Sequence, residues 1–145
     1  MARIKIDLPA NSLTKLTLAV RITDINYGNH LGNDALVGLL HEARVQWLTK
    51  LGYSELNIEG KSIIMSDLAV QYKNEAFYGQ SLNIELFSGE TSSAGFELFY
   101  EISVTEENET KTIARAKTGL VFFDYAERKI TAMPEAFAKI LTPVS

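Results

Sequence analysis

The stretch ALVGLLHEARVQWLTKL, Ala35 to Leu51, decides the fold of this chain. Its apolar residues recur at spacings of three and four, which is the period of an amphipathic α-helix. The main stripe consists of Leu36, Leu40, Ala43, Trp47 and Leu51, and it is widened by Leu39, Val45 and Leu48. Asn33 or Asp34 is expected to cap the N-terminus, and Gly52 stands where a left-handed C-terminal cap belongs. Because apolar side chains cover most of its circumference, we expect this helix, about 25 Å long at about 1.5 Å per residue, to be buried.

Most of the remaining chain has the composition of β-strands, rich in β-branched and aromatic residues. The expected strands are 12–23 before the helix and 62–74, 81–90, 95–106 and 111–124 after it. Their short separators contain turn formers, so we expect antiparallel hairpins. A short terminal helix is expected over PEAFAKIL, with Pro134 in its first turn. A sheet that curls around the long helix covers it economically, which predicts a single α+β domain over residues 1–145.

The composition excludes several classes of function. The 145 residues carry a net charge of −4 and no basic block, so a nucleic-acid partner is not expected. The chain has no cysteine and two histidines, which excludes disulfides and a Cys nucleophile and argues against a metal site. No segment approaches the roughly 18 apolar residues of a membrane span, and the N-terminal residues do not have the pattern of a signal peptide. We therefore expect a cytoplasmic protein that does not enter the membrane.

Two motifs carry most of the polar chemistry. The first is DINYGNHLGN, residues 24–33, which continues into HEARVQWL on the helix, and the second is VQYKNEAFYGQSLNIEL, residues 70–86. They resemble motifs of the hotdog-fold acyl-CoA thioesterases of the 4-hydroxybenzoyl-CoA thioesterase family, which read like D-x-D-x-x-G-H-V-N-N, Y-x-x-x-F-E-E-A-R-x-x-W-L and V-x-Y-x-R-P-A-x-Y-G-D-x-L-x-V. The resemblance covers roughly residues 13–125. It implies a hotdog fold, an antiparallel sheet wrapped around one long central helix, and hydrolysis of an acyl-CoA thioester to a free acid and CoA.

The chain departs from the family pattern at several positions. Asn26 stands at the family's second Asp, His41 at the first Glu of the helix motif, and Glu75 at the Pro of the second motif. These departures leave two other interpretations open. One is a hotdog-fold enoyl-thioester hydratase, and the other is a non-catalytic hotdog protein that binds an acyl group or serves as a scaffold.

Thioester hydrolysis requires a general base or a nucleophilic carboxylate, together with donors that polarise the carbonyl group. The candidate catalytic residues are Glu42, Asp24, Asn26 and His30. Glu42 is the first candidate for activating water and Asp24 is the second. Asn26 and His30 are expected to orient the thioester together with the amides at the start of the helix, which are unpaired and carry partial positive charge.

The candidate substrate-binding residues are Asn33, Ala35, Gly38 and Tyr78. Ala35 and Gly38 form a strip of small residues along which an acyl chain could pass, although such a strip equally allows close packing of a sheet. Simpler roles remain open for the others: a helix cap for Asn33, a turn for Tyr78, and backbone hydrogen bonds for Asp24 and His30.

The substrate and the assembly follow from the resemblance. The substrate is expected to be a thioester of coenzyme A or, as the second choice, of an acyl carrier protein. No separate cofactor is expected, because coenzyme A is part of the substrate. In the resembled family two protomers join their sheets and the active site lies between them, so a homodimer or a homotetramer is expected.

Overall fold

In the computed structural model, which describes residues 3–143, an antiparallel sheet packs against one long helix. The elements in chain order are β1 (Ser12–Ala19), α1 (Asn33–Lys50), β2 (Ser62–Tyr72), β3 (Ser81–Thr91), β4 (Gly95–Glu106), β5 (Glu109–Asp124), β6 (Lys129–Ile130) and α2 (Glu135–Leu141). The strand order is β1-β3-β4-β5-β2, with β6 beside β5. The predicted α+β class and the antiparallel hairpins are confirmed.

Helix α1 is buried on one side only, so the prediction of burial over most of its circumference is wrong. Its buried residues are Leu36, Leu39, Leu40, Ala43, Arg44, Trp47 and Leu48. The opposite side, with Gly38, Glu42 and Val45, is exposed. The expected C-terminal cap is confirmed, because Gly52 follows the helix with a φ of +84°. The expected N-terminal cap is wrong, because the N-cap is Gly32, whose carbonyl accepts the first helical hydrogen bond from Leu36. The Asn33 side chain lies one position too late to cap and accepts a hydrogen bond from the next amide instead.

Three further details differ from the sequence-based expectation. Strand β1 ends at Ala19 because the chain then forms a 3₁₀ turn at Ile22–Asp24. The short strand β6 was not expected, and it pairs with the end of β5. Pro134 precedes α2 as its N-cap residue and does not lie in its first turn. None of these differences changes the sheet order around the helix.

Aromatic side chains close one end of the core. Phe137 on α2 is fully buried and meets Trp47 of α1 edge-on, with ring centroids 5.8 Å apart. It also contacts Phe96 and Phe122 of the sheet at 5.1 and 5.5 Å. Such pairs add about 0.5–1.5 kcal/mol each beyond the area that they bury. The terminal helix therefore fastens the C-terminal part of α1 to the sheet.

A buried polar network fixes the middle of α1. The Arg44 guanidinium donates to the Glu55 carboxylate at 2.9 Å and to the Tyr100 hydroxyl at 3.2 Å, and this hydroxyl also bonds Thr118 at 2.8 Å. Burial raises the pKa of Tyr100. Burial alone would raise the pKa of Glu55 as well, but hydrogen bonds from Arg44 and His41 outweigh it and lower that pKa. The network thereby holds the middle of the helix against β4 and β5.

Candidate active site

A pocket of about 510 Å³ opens at the N-terminus of α1. It is lined by residues 26–28 and 30–33 of the loop before the helix, Leu36 on α1, residues 72–76 at the end of β2, and Ile113 on β5. Leu31, Leu36 and Ile113 are buried core residues and form an apolar base. The polar side chains stand around that base. A ligand with an apolar group and a polar linkage matches such a pocket.

The loop before the helix is anchored by Asp24. This carboxylate is buried and accepts hydrogen bonds from the Arg21 backbone amide at 2.8 Å and from the Arg21 guanidinium at 3.0 and 3.1 Å. The hydrogen bonds from Arg21 lower the pKa of Asp24. The backbone carbonyl of Asp24 also accepts the Gly32 amide at 2.9 Å. Asp24 therefore holds both ends of the loop together, as the capping alternative anticipates, and it does not line the pocket.

Asn26 begins a tight turn at the rim of the pocket. Its backbone amide donates to the His30 carbonyl and its carbonyl accepts from the Asn29 amide, both at 3.0 Å. Asn29 has a φ of 64°, a left-handed conformation that Asn tolerates well. The Asn26 Oδ1 atom accepts the Gly28 amide at 2.9 Å. The oxygen of the carboxamide is thus committed to the turn, while its Nδ2 group donates to no other described residue.

His30 is half-buried beside this turn. Its Nδ1 atom lies 3.1 Å from the Leu31 carbonyl oxygen, and its Nε2 atom lies 3.8 Å from Oε1 of Glu75 across the pocket. The backbone hydrogen bond anticipated as the simpler role of His30 is therefore present. It occupies Nδ1 and leaves Nε2 directed toward the pocket.

The backbone amides just before and at the start of α1 differ in whether they already donate a hydrogen bond. The Leu31 amide donates to the Ala76 carbonyl at 2.7 Å, and this bond joins the loop to residues 72–76 on the opposite wall of the pocket. Among the described residues, the amides of Asn33 and Ala35 make no hydrogen bond, as is usual at a helix N-terminus. The Tyr72 hydroxyl donates to the Asn33 carbonyl at 3.1 Å and ties β2 to the start of the helix.

The structure brings together Asn26, His30 and Asn33, three of the residues expected from the sequence. The other candidates do not line this pocket. Glu42 and Gly38 lie on the exposed side of α1, where Glu42 accepts a hydrogen bond from Gln46 at 2.9 Å, and Ala35 is half-buried against the core. Tyr78 is exposed in a turn in which Gly79 has a φ of +86°, so the anticipated turn is present.

The pocket residues 72–76 were missed as site candidates, although the second motif contains all of them. They begin at Tyr72, the last residue of β2, and line the wall opposite the loop. Glu75 is the position at which the motif of the resembled family has Pro. A charged residue in place of an expected proline was the signal that could have identified it.

Residues 3–143 contain no group of three or more His, Asp or Glu side chains that could hold a metal ion. Within the same range, no helix is long and apolar enough to cross a membrane.

The fold and the pocket define a protein of the hotdog class, and comparison with known families specifies it further. Residues 20–141 match the Thioesterase-like superfamily. The chain belongs to that superfamily. Among curated protein sequences, none matches this chain.

Solved structures with the same fold include several named thioesterases. A 1,4-dihydroxy-2-naphthoyl-CoA thioesterase from Synechocystis shares 23% identity over 88% of this chain and 93% of its own, with a TM-score of 0.78. A 4-hydroxybenzoyl-CoA thioesterase variant in complex with 4-hydroxybenzoyl-CoA shares 17% identity over 92% of this chain and all of its own, with a TM-score of 0.79. A DHNA-CoA thioesterase from Staphylococcus aureus shares 19% identity over 87% of this chain and 84% of its own, with a TM-score of 0.74. The predicted hotdog fold is confirmed.

Proposed function

We propose that this protein hydrolyses an acyl-CoA thioester to a free acid and CoA. The observation that carries the proposal is the convergence of Asn26, His30 and the first amides of α1 around an apolar-based pocket. Membership of the thioesterase-like superfamily and the substrates named for the similar structures support the reaction type.

The polar groups of the pocket suit the charge that develops during the reaction. Attack of water on a thioester gives a tetrahedral intermediate whose oxygen carries negative charge. The Nδ2 group of Asn26 and the free amide of Asn33 are hydrogen-bond donors on the pocket lining, and the start of a helix carries partial positive charge. We assign to these donors the polarisation of the thioester carbonyl, with the acyl group against the apolar base.

Activation of the water requires a proton acceptor, and Glu42 is the carboxylate proposed from the sequence. Its position on the exposed side of α1 means that it reaches a pocket only if a second copy brings it there. Asp24 is a weaker candidate, because its carboxylate already accepts hydrogen bonds from three N–H groups of Arg21. The proposal for Glu42 therefore depends on the assembly.

We propose a C₂ homodimer, or a tetramer built from it, that forms along β2. This strand is at an edge of the sheet, and its side chains Met65, Leu68 and Tyr72 are 46%, 37% and 45% exposed. An edge strand with exposed apolar side chains invites pairing with another chain, whereas the other edge, β1, carries an exposed Lys15. Since Tyr72 also contacts the start of α1, a partner paired along β2 lies next to the pocket.

The carrier of the acyl group and the location of the protein remain proposals that rest on the sequence. Coenzyme A is the preferred carrier and an acyl carrier protein is the second choice. The cytoplasm is the proposed location, and fractionation of cells that express the protein checks it.

The proposed reaction is tested by release of free thiol from a panel of aliphatic and aromatic acyl-CoAs, with the same acyl groups on acyl carrier protein in parallel. We expect steady-state turnover of at least one acyl-CoA. Hydration of an enoyl-CoA without thiol release would instead identify a hydratase. Saturable binding of acyl-CoAs without any turnover would identify a non-catalytic acyl-binding protein.

A further inference from the structure

We propose that the pocket contains its own base: His30 accepts the proton of the attacking water at Nε2, and Glu75 stabilises the imidazolium that forms. This inference rests on the proposed thioester hydrolysis and specifies which residue accepts the proton in that reaction. It differs from the sequence-based assignment, in which His30 orients the substrate and Glu42 is the base.

The hydrogen bond of His30 to the backbone determines which of its nitrogens is basic. A carbonyl oxygen is an acceptor only, so the contact of 3.1 Å between Nδ1 and the Leu31 carbonyl requires a proton on Nδ1. In the neutral ring Nε2 is then unprotonated and carries the lone pair. The Leu31 amide itself donates to the Ala76 carbonyl, so both backbone groups of Leu31 are hydrogen-bonded and its position is fixed. The ring is thus fixed in the tautomer that a general base needs.

Gly28 leaves the basic nitrogen accessible. A Cβ atom at this position would lie 3.2 Å from Nε2 of His30 and 3.3 Å from Oδ1 of Asn26. Gly28 does not have a positive φ, so its backbone conformation alone does not require glycine. The missing side chain provides the space in which a water molecule can approach Nε2 beside the carboxamide that polarises the carbonyl.

Glu75 is the group that stabilises the positive charge formed on His30 by proton transfer. Among the described residues that line the pocket it is the single carboxylate, and its Oε1 atom lies 3.8 Å from Nε2. A carboxylate at this distance attracts the positive charge that forms on the ring when Nε2 takes the proton from water. Glu75 is largely exposed in the free protein, and an acyl-CoA that fills the pocket excludes water and strengthens the attraction. Because it acts through His30, Glu75 is a positioning residue.

The step balances without any further reactant. Water gives one proton to Nε2 of His30, and its oxygen forms a bond to the thioester carbon. The tetrahedral intermediate collapses with cleavage of the carbon–sulfur bond. The leaving thiolate takes the proton from Nε2, which returns His30 to its neutral tautomer and Glu75 to its starting state, with a carboxylic acid and the CoA thiol as products.

Kinetics on the intact protein test the role of Glu75. We expect Glu75→Gln to lower kcat about tenfold with KM within about threefold, since charge stabilisation is needed only after proton transfer. Glu75→Asp keeps the charge and is expected to retain more of the activity than Glu75→Gln. Glu109→Gln, an exposed carboxylate at the start of β5, is the matched control and is expected to turn over like the parent.

Nitrogen NMR of the imidazoles tests the tautomer independently of activity. The chain has two histidines, so a His30→Gln variant assigns the signals. We expect Nδ1 of His30 to carry the proton and Nε2 to be bare in the resting protein. A bare Nδ1, or a Glu75→Gln variant with the parent kcat, would overturn the inference. A parent protein that releases no thiol from any acyl-CoA would instead refute the proposed function, and the NMR result would still decide the tautomer.

Discussion

Replacement of Asn26 by Asp separates two roles for this position. The Oδ1 atom of Asn26 accepts the Gly28 amide at 2.9 Å, and an Asp carboxylate can accept the same hydrogen bond. The turn is therefore expected to persist, with a thermal midpoint within about 2 °C of the parent. The other terminal atom of the side chain does change. Nδ2 of Asn is a hydrogen-bond donor, whereas the corresponding oxygen of Asp is an acceptor and the carboxylate is negatively charged.

The expected loss of activity follows from that change. If Nδ2 donates to the developing oxyanion, its removal costs about 10²–10³ in kcat, or about 2.7–4 kcal/mol. The Cβ position of Gly28 lies 3.3 Å from Oδ1 of Asn26 and 3.2 Å from Nε2 of His30, so the new charge would also lie close to the reacting groups. Repulsion between that charge and the oxyanion acts in the same direction.

The assay is steady-state thiol release with the acyl-CoA that the parent hydrolyses fastest. Asn29→Asp introduces the same charge into the same turn outside the pocket lining, and we expect it to keep the parent kcat. A clear rise of kcat in Asn26→Asp would refute the reasoning. It would mean that a carboxylate at position 26 performs the proton transfer better than the histidine.

Three other variants probe the base, the core and the assembly. Glu42→Gln is expected to keep kcat within about threefold, and a loss of about 10²–10⁴-fold would show that the helix carboxylate is the base. Tyr100→Phe removes a buried hydroxyl that serves two partners and is expected to lower the free energy of unfolding by about 1–3 kcal/mol, measured by urea denaturation. Leu68→Glu puts a charge on the exposed edge of β2 and is expected to convert the proposed dimer into monomers in sedimentation velocity. A dimer that persists in this variant would exclude pairing along β2.

Local periodicity was sufficient to predict the two helices and the five longer strands, but not the two-residue strand β6. The apolar stripe of α1 and the alternation in the β4 segment depend on residues close in sequence, and β4 begins and ends where its pattern predicts, at Gly95–Glu106. The exposed side of α1 was not predictable in the same way. Val45 is apolar, and the pattern of a single helix does not reveal which of its apolar residues the sheet covers.

The candidate site was only partly predictable, because its central pair is distant in sequence. His30 and Glu75 precede Leu31 and Ala76, whose backbone hydrogen bond joins two segments distant in sequence, and no local pattern predicts such a contact. The engagement of Asp24 by Arg21 is local, yet a sequence does not show which atoms of a carboxylate are occupied. The resemblance of the two motifs identified the two segments that line the pocket. Which of their atoms are already engaged in hydrogen bonds can be read only from the structure.

The most direct test of the account compares His30→Gln with the parent in thiol release from the best acyl-CoA. Glutamine can still donate a hydrogen bond in the pocket, but it cannot accept a proton at neutral pH. The account predicts that kcat falls by about 10²–10⁴-fold while the fold and the mass in solution stay those of the parent. A variant that turns over at the parent rate would contradict it and would place the base outside the pocket.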